Sequence, residues 1–281
     1  MRPRILILLA ALLLLAACAA PEPTPTPAPT VQPTPEATPA PYTAMAGDGE
    51  HPQLIAHAGG AVYGYRYTNS LEALDAAYEV GFRFVELDFE LSSDGEIVLI
   101  HDWEAMALRL LGKTGPLSLR EFRGRKALAG LTLLDLKGLL AWLEAHPDCA
   151  VITDVKSEEN PAVLASIREA AGDLADRFIP QAYAPEEAEA LLADGWERVI
   201  LTLYRTELTP EELAEFLSET PLWAVTVPQE RMSTALADAV RDSGTALYCH
   251  TVNALDFFDE WKDRGLTGIY TDYFQPTRWI Y

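Results

Sequence analysis

The sequence has few cysteines and few basic residues, and both shortages exclude classes of protein. Three cysteines in 281 residues stand at scattered positions, too few for a disulfide scaffold and without the spacing of a metal finger. With 21 Lys and Arg against 42 Asp and Glu, the formal charge is −21. This excess of acid argues against nucleic acid or an anionic membrane surface as a partner, because both need a basic face. An apolar fraction of 49% is ordinary for a folded chain, so the charge does not indicate disorder.

The N-terminus has the features of an export signal. Arg2 and Arg4 precede an apolar run over residues 5–17. As a helix this run would reach about 20 Å, short of the roughly 30 Å of a bilayer core, so we expect a signal peptide and not a membrane span. The sequence Leu-Ala-Ala-Cys at 15–18 resembles a bacterial lipobox, which implies that Cys18 becomes the lipidated N-terminus of an extracytoplasmic, membrane-anchored lipoprotein of the cell envelope. Ordinary secretory cleavage nearby, with Cys18 lost, is the alternative.

A proline-rich segment divides the chain into three parts. Nine prolines between residues 21 and 41 remove backbone donors and prevent a packed core, which predicts an extended tether. We therefore expect a signal peptide over 1–18, a flexible tether over 19–50 and a folded domain over 51–281. That domain keeps a formal charge of −19, because four acidic and two basic residues precede it.

Short β-branched runs alternate with amphipathic helical stretches along the folded domain. The predicted strands are 53–57, 82–90, 150–155, 178–181, 198–203, 223–227, 246–251 and 268–271. The predicted helices are 70–80, 133–145, 162–171, 185–193, 210–217, 233–243 and 254–264. Eight such units in about 230 residues predict an α/β fold, a TIM (β/α)8 barrel with its chemistry at the carboxyl ends of the strands. A doubly wound open sheet fits less well, because no glycine-rich phosphate loop follows the first strand.

One additional strand, 96–101, does not fit the alternation and is expected to form a β-hairpin with the second strand. The Asp94-Gly95 pair between the two runs predicts a two-residue type I′ turn. In that register Asp88 lies opposite His101, and Glu86 points to the same face. We therefore expect Glu86, Asp88 and His101 to converge.

Two carboxylates on one strand face are costly unless a positive charge lies between them, since each raises the pKa of the other. A divalent cation such as Mg²⁺ or Ca²⁺ would satisfy them, with Asp154 on the adjacent strand as a third oxygen ligand. The alternative is that Glu86 or Asp88 pairs with Lys156 or Arg83.

Short polar motifs recur across nearly all of residues 54–274: His-Ala-Gly-Gly at 57–60, Thr-Asn-Ser at 68–70, Glu-Leu-Asp at 86–88, Ser-Asp-Gly at 93–95, His-Asp at 101–102, Asp-Val-Lys at 154–156, Gln-Ala-Tyr at 181–183, Thr-Val-Asn at 251–253 and Gly-Ile-Tyr-Thr-Asp at 268–272. In this order they resemble the glycerophosphodiester phosphodiesterase family of TIM-barrel enzymes.

The resemblance implies a divalent metal held by Glu86, Asp88 and Asp154, with His57 and His101 as acid and base. We expect substrate contacts from a further set of residues: Lys156, Gln181, Trp103, Asn253 and Arg66. The chain departs from the family pattern at Ala58, where Arg is usual, at residues 67–69, where Pro-Glu-Asn is usual, and at Asp154, where Glu is common. The departures suggest a divergent lipoprotein subgroup.

The expected function is metal-dependent hydrolysis of small glycerophosphodiesters by a phosphoric diester hydrolase anchored through Cys18. The alternatives are a catalytically impaired binding lipoprotein on the same fold and a phospholipase-like transphosphatidylase acting on lipids. A glycosidase is weaker, because the two acids of one strand lie too close together for that chemistry. We expect a monomer that does not bind nucleic acid, with Cys149 and Cys249 free and buried.

Overall fold

The computed structural model describes residues 50–157 and 160–273, and the expected signal peptide and nearly all of the expected tether lie outside these residues. The strands of the described chain are β1 (Leu54–Ala56), β2 (Phe84–Leu91), β3 (Ile97–Leu99), β4 (Ala150–Val155), β5 (Phe178–Ala182), β6 (Ile200–Thr202), β7 (Ala224–Pro228), β8 (Ala246–His250) and β9 (Gly268–Thr271). The helices are α1 (Leu71–Glu79), α2 (Ala105–Leu111), α3 (Leu119–Gly124), α4 (Leu136–Ala145), α5 (Asn160–Ala171), α6 (Pro185–Ala193), α7 (Pro210–Glu219), α8 (Thr234–Ser243) and α9 (Leu255–Trp261).

Eight parallel strands form a closed ring, which confirms the TIM barrel. The sheet order is β1-β9-β8-β7-β6-β5-β4-β2-β3, and pairing of β1 with both β9 and β2 closes the ring. The additional strand β3 pairs antiparallel with β2 outside the ring. The expected architecture of barrel and hairpin strand is therefore present.

The packing explains why the sequence adopts this arrangement. Inward-facing side chains such as Ile55, Ile152 and Ile179 fill the barrel, and a larger cluster lies between strands and helices. Helix starts are fixed by their own sequences. Thr209 and Glu212 form a capping box at α7, and Pro185 opens α6 where no backbone donor is needed.

The hairpin exists, but its expected register is wrong by one residue. Phe89 pairs with Leu99 and Leu91 with Ile97, so Asp88 lies beside Ile100 and not opposite His101. Residues 93–95 form a three-residue loop, in which Gly95 alone has a positive φ of 83°. A type I turn ended by such a glycine inserts one more residue than a type I′ turn, and the pairing shifts accordingly.

The segment between β3 and α4 forms a small helical insertion that the strand and helix pattern did not predict. It contains α2 and α3 and has its own core, in which Trp103, Leu110 and Phe122 pack together with Val62 and Val98. The insertion thereby rests on the loop after β1 and on the hairpin.

Both cysteines of the folded domain are free and buried, as expected. Among the residues that the structure describes, no helix has the length and apolar character needed to cross a bilayer.

Candidate active site

The three predicted metal ligands meet at the carboxyl end of the barrel strands. Asp88 on β2 and Asp154 on β4 are direct partners in the parallel register, and Glu86 lies two residues back on the same face as Asp88. All three are buried, and one oxygen of each lies within 4.8 Å of the others. The parallel register therefore brings together a compact group of oxygen ligands.

The hydrogen bonds of Glu86 and Asp88 leave oxygen atoms directed at this cluster. Glu86 Oε2 accepts from the Ala58 backbone N–H at 2.8 Å, while Glu86 Oε1 has no hydrogen-bond partner among the described residues. Asp88 is held by Asn69, whose amide donates to Asp88 Oδ2 at 2.8 Å and accepts from the Asp88 N–H at 2.9 Å. Burial and the neighbouring Asp88 raise the pKa of Glu86 to about 8. A carboxylate so buried and crowded is stabilised by a nearby cation, so the donor set fits a hard divalent metal.

Lys156 already supplies one positive charge to the cluster. Its Nζ lies 2.9 Å from Asp88 Oδ1 and 2.5 Å from Asp154 Oδ2. The pairing of Asp88 with Lys156, left open from the sequence, is therefore present, whereas Arg83 pairs with Asp148 at 2.5 Å. Burial opposes the charge on Lys156, but the carboxylates around it prevail and raise its pKa well above the usual value. One ammonium against three carboxylates still leaves an excess of negative charge.

His57 is held by Asp272, a carboxylate that was not among the predicted site residues. His57 Nδ1 lies 2.8 Å from Asp272 Oδ1, and His57 Nε2 lies 3.9 Å from Glu86 Oε2. Burial lowers the pKa of His57, but the hydrogen bond to Asp272 and the charges of nearby carboxylates outweigh burial, and the pKa is raised. The imidazole is thus oriented with Nε2 toward the metal ligands.

His101 lies near His57 by a route other than the expected pairing. The ring of Tyr67 stands between the two histidines, with ring centroids 4.7 Å from His57 and 5.2 Å from His101, both edge to face. His101 Nδ1 lies 2.9 Å from Asp102 Oδ2, and the other oxygen of Asp102 accepts from the Met106 N–H at the start of α2. Each histidine therefore has a carboxylate at Nδ1 and presents Nε2.

Two of the predicted substrate residues differ in their access to the pocket. Gln181 lies two positions beyond the inward-facing Ile179 on β5 and therefore faces the barrel mouth. Trp103, by contrast, is only 5% exposed, because it packs against Phe122 and donates its indole N–H to the Leu91 carbonyl at 3.0 Å. The structure places Trp103 in the core of the insertion, where a substrate has almost no surface to contact.

Asn253 and Arg66 both contact Asp272. The Asn253 amide donates to Asp272 Oδ2 at 2.7 Å, and its oxygen accepts from the Asp272 N–H at 2.9 Å and from the Thr271 hydroxyl at 3.1 Å. These bonds make Asn253 a clamp on Asp272 and leave it little capacity for substrate. Arg66 reaches Asp272 Oδ2 at 3.3 Å with half its side chain exposed, so it borders the pocket as a cation.

Two tyrosines that the sequence did not single out as ligand partners hold Asp154. The hydroxyls of Tyr183 and Tyr204 donate to Asp154 Oδ1 at 2.5 and 3.1 Å. Burial opposes ionisation of Asp154, but Lys156 and these hydroxyls lower its pKa to about 2. In the sequence each tyrosine follows the end of a predicted strand. Several residues with structural roles stand at such positions too, so the position alone did not identify the tyrosines as partners of Asp154.

His250 is a third histidine at the mouth. It ends β8, its Nε2 is buried without a hydrogen-bond partner among the described residues, and its ring lies 5.8 Å from that of Tyr204. Burial lowers its pKa to about 4, so it is neutral at ordinary pH. It gives the pocket an uncharged polar wall.

Comparison with known proteins gives a match over the part of the chain that contains these site residues. The model of the glycerophosphoryl diester phosphodiesterase family matches residues 57–167, a range that holds His57, His101 and all three carboxylates. Over this segment the chain is similar to the glycerophosphoryl diester phosphodiesterase family. Enzymes of this family generally depend on a divalent metal, in agreement with the acidic cluster.

Individual relatives of the family are similar over different lengths. The protein named "Probable glycerophosphodiester phosphodiesterase 2" of Mycobacterium tuberculosis is 34% identical over 90 residues, which make up 32% of this chain and 33% of that protein. The match thus spans about a third of the length of this curated relative.

Solved structures of the family are similar over the whole barrel. A phosphodiesterase from Oleispira antarctica, solved in complex with the product sn-glycerol-3-phosphate, has a TM-score of 0.67 at 18% identity, with 80% of this chain and 94% of that chain covered. A glycerophosphodiester phosphodiesterase from Parabacteroides distasonis has a TM-score of 0.61 at 22% identity, with 78% and 92% covered. At these identities the similarity shows the fold.

Proposed function

We propose that this protein hydrolyses glycerophosphodiesters with the help of a divalent metal and the two histidines. The observation that carries the proposal is the joint placement of three buried carboxylates beside His57, whose Nδ1 is held by Asp272. A binding protein needs no carboxylate-oriented histidine next to a cation site, whereas acid-base catalysis does.

The metal would be held by Glu86, Asp88 and Asp154, with Mg²⁺ and Ca²⁺ the candidates that suit oxygen ligands. Bound there, it would polarise a phosphoryl oxygen and offset the negative charge that develops at phosphorus. Asn69, Tyr183 and the Ala58 N–H orient the ligand oxygens, so the site is arranged before any ion arrives.

The two histidines divide the proton transfers. One accepts the proton of the attacking water or neighbouring glycerol hydroxyl as the new P–O bond forms. The other donates a proton to the alkoxide as the old P–O bond breaks, and the alcohol leaves neutral. Because Asp272 and Asp102 occupy the Nδ1 atoms of His57 and His101, Nε2 is the atom that exchanges the proton in each case.

Local cations replace the arginine that the family usually has at Ala58. Lys156 lies at the cluster, Arg66 borders it, and the Arg205 guanidinium stacks over Tyr183 and Tyr204 at 4.0 and 5.2 Å. These charges attract the phosphate of a substrate toward an otherwise acidic domain.

We further propose that the enzyme acts outside the cytoplasm as a lipoprotein anchored through Cys18, as its N-terminal sequence suggests. Globomycin, which blocks lipoprotein signal cleavage, together with mass analysis of the mature N-terminus, tests this. An unacylated N-terminus downstream of Cys18 would contradict anchoring and leave the catalytic proposal intact.

The catalytic proposal is tested on residues 19–281, made without the lipid and freed of metal. With glycerophosphocholine as substrate, we expect activity that returns with Mg²⁺ or Ca²⁺ and that falls at least 100-fold or so in His57→Ala and His101→Ala. His146→Ala is the matched control, since His146 lies beyond the end of α4 and packs on Trp142. No turnover in the unmodified protein would favour the binding lipoprotein, and a cyclic phosphate that accumulates as the final product without being hydrolysed would favour the transphosphatidylase.

A further inference from the structure

The helical insertion reverses the charge of the domain. Residues 104–126 contain six Lys and Arg and two Asp and Glu, while the chain as a whole carries a formal charge of −21. All six basic residues are exposed: Arg109, Lys113, Arg120, Arg123, Arg125 and Lys126. The acid elsewhere therefore conceals a local basic surface, which we call the basic insertion.

Exposed apolar groups lie beside the basic insertion. Tyr63 is 67% exposed and Leu108 is 55% exposed, more than any other large hydrophobic residue in the described chain. Tyr63 and Gly64 form a two-residue turn in which both φ values are positive, closed by hydrogen bonds between Val62 and Tyr65. Tyr63 is thus presented at the tip of a rigid loop.

The loop and the insertion are in contact. The Arg109 guanidinium lies 5.5 Å from the centre of the Tyr65 ring, and Val62 packs in the core of the insertion. Tyr63 and Leu108 therefore belong to neighbouring elements beside the mouth, where the same loop also carries Tyr67 between the two histidines.

We propose that this rim, formed by the basic insertion with Tyr63 and Leu108, docks on a bilayer that contains anionic lipids. Basic side chains are attracted to anionic headgroups, and an exposed aromatic and an exposed leucine gain by entering the headgroup region. A soluble polyanion would satisfy the charges but not the apolar groups, so the combination favours a bilayer. The proposal concerns binding alone and does not rest on the hydrolysis proposed above.

The expected anchor gives this surface a purpose. The expected tether over residues 19–50 would be long enough to leave the domain free to turn, so the expected anchor at Cys18 would select no orientation by itself. Docking through the rim would turn the active-site mouth toward the bilayer surface, where a glycerophosphodiester released from lipid is formed.

The test measures binding of unlipidated 19–281 to vesicles of phosphatidylcholine with or without one third phosphatidylglycerol. We expect the protein to sediment with the vesicles that contain phosphatidylglycerol and not with those of phosphatidylcholine only. We also expect 0.5 M NaCl to release the protein from the vesicles. Arg120→Glu/Lys126→Glu should weaken binding by about tenfold or more, and Leu108→Ser should weaken it as well. Lys262→Glu/Arg264→Glu is the matched control, because these exposed residues follow α9 and precede β9 at the opposite end of the barrel.

Several outcomes would overturn the proposal. They are equal binding to neutral vesicles, no binding to anionic ones, or an equal loss in the Lys262/Arg264 control. A further contradicting result would be that soluble polyphosphate binds the unmodified protein as tightly as the anionic vesicles do and that Leu108→Ser does not change binding. This result would identify a polyanion site. The salt dependence and lipid preference of the unmodified protein decide the matter if a variant proves unfolded by circular dichroism.

Discussion

The two proposed acid-base histidines share one arrangement although they come from different parts of the chain. His57 forms a hydrogen bond with Asp272 and His101 forms one with Asp102, each through Nδ1. Asp272 is itself held by Asn253 and Arg66, so the orientation of His57 depends on residues that follow β1, β8 and β9. Such support fixes the tautomer and keeps Nε2 available for the reaction.

Replacing Asp272 by Asn tests this arrangement. The hydrogen bond to Asp272 and its charge help to raise the pKa of His57 against the effect of burial. Without the carboxylate the pKa of His57 should fall, and the limb of the pH–rate profile that reports this residue should move to lower pH while kcat drops. A parallel loss of activity at every pH with no movement of either limb would show that Asp272 acts only in folding.

Glu86 makes the stability of the metal-free protein depend on pH. Its pKa is raised from 4.5 to about 8, first by burial and then by Asp88. The protonated form therefore stabilises the fold fully below pH 4.5, and this contribution is lost as pH rises toward 8. We expect the free energy of unfolding of the metal-free protein to fall over this range.

Chemical denaturation at pH 5, 6.5 and 8 measures this effect. Glu86→Gln should flatten the dependence, because its amide does not ionise, while Glu189→Gln on the exposed face of α6 should not. Mg²⁺ or Ca²⁺ should stabilise the unmodified protein most at pH 8. An unchanged slope in Glu86→Gln would show that Glu86 is ionised in the metal-free fold.

Among the secondary-structure elements, the hairpin and the insertion depend most on tertiary contacts. The hairpin loop uses Gly95 for its one positive φ, and Ser92 bonds to Glu96 across it. The Asp94 carboxylate accepts from the Leu119 N–H at the start of α3, so the hairpin also fixes the insertion. Trp103 joins the two by its bond to the last residue of β2.

Trp103 is the residue whose expected role and observed place differ most, and its substitution separates them. Trp103→Ala should cost about 3 to 5 kcal/mol of stability through the cavity it leaves. Trp103→Phe keeps an aromatic ring in the core but leaves a smaller cavity and loses the indole hydrogen bond, at about 1 to 3 kcal/mol. Denaturant unfolding and the KM for glycerophosphocholine check this. A KM increase of about tenfold or more in Trp103→Phe with unchanged stability would make Trp103 a substrate residue after all.

Sequence patterns predicted what depends on strand alternation. The eight ring strands, the closeness of Glu86 and Asp88, and Asp154 on the neighbouring strand all follow from period-two patterning and parallel register. The Asp154–Tyr183 bond and the Asp272–His57 pair were not predictable in this way, because patterning places residues on a strand face but does not specify which side chains form hydrogen bonds between neighbouring strand ends. The hairpin register failed because the same Asp-Gly pair fits loops of two and of three residues.

The molecule as a whole separates its charges. The net charge of −21 argued against an anionic membrane surface as a partner. The basic insertion nevertheless places exposed cations beside the mouth, and Lys156 and Arg66 place others within it. The net charge describes the rest of the surface, where acidic residues line helix faces such as α6 and α7. Both the approach of a phosphodiester and the orientation toward a membrane would depend on this local reversal.

The most direct test of the proposed chemistry is the release of glycerol phosphate from a glycerophosphodiester by metal-free protein, before and after Mg²⁺ or Ca²⁺ is added, with Glu86→Gln alongside. We expect the unmodified protein to turn over substrate only after metal is added. We expect Glu86→Gln not to regain this rate when metal is added. Turnover that persists in excess chelator and in Glu86→Gln would contradict the proposed chemistry.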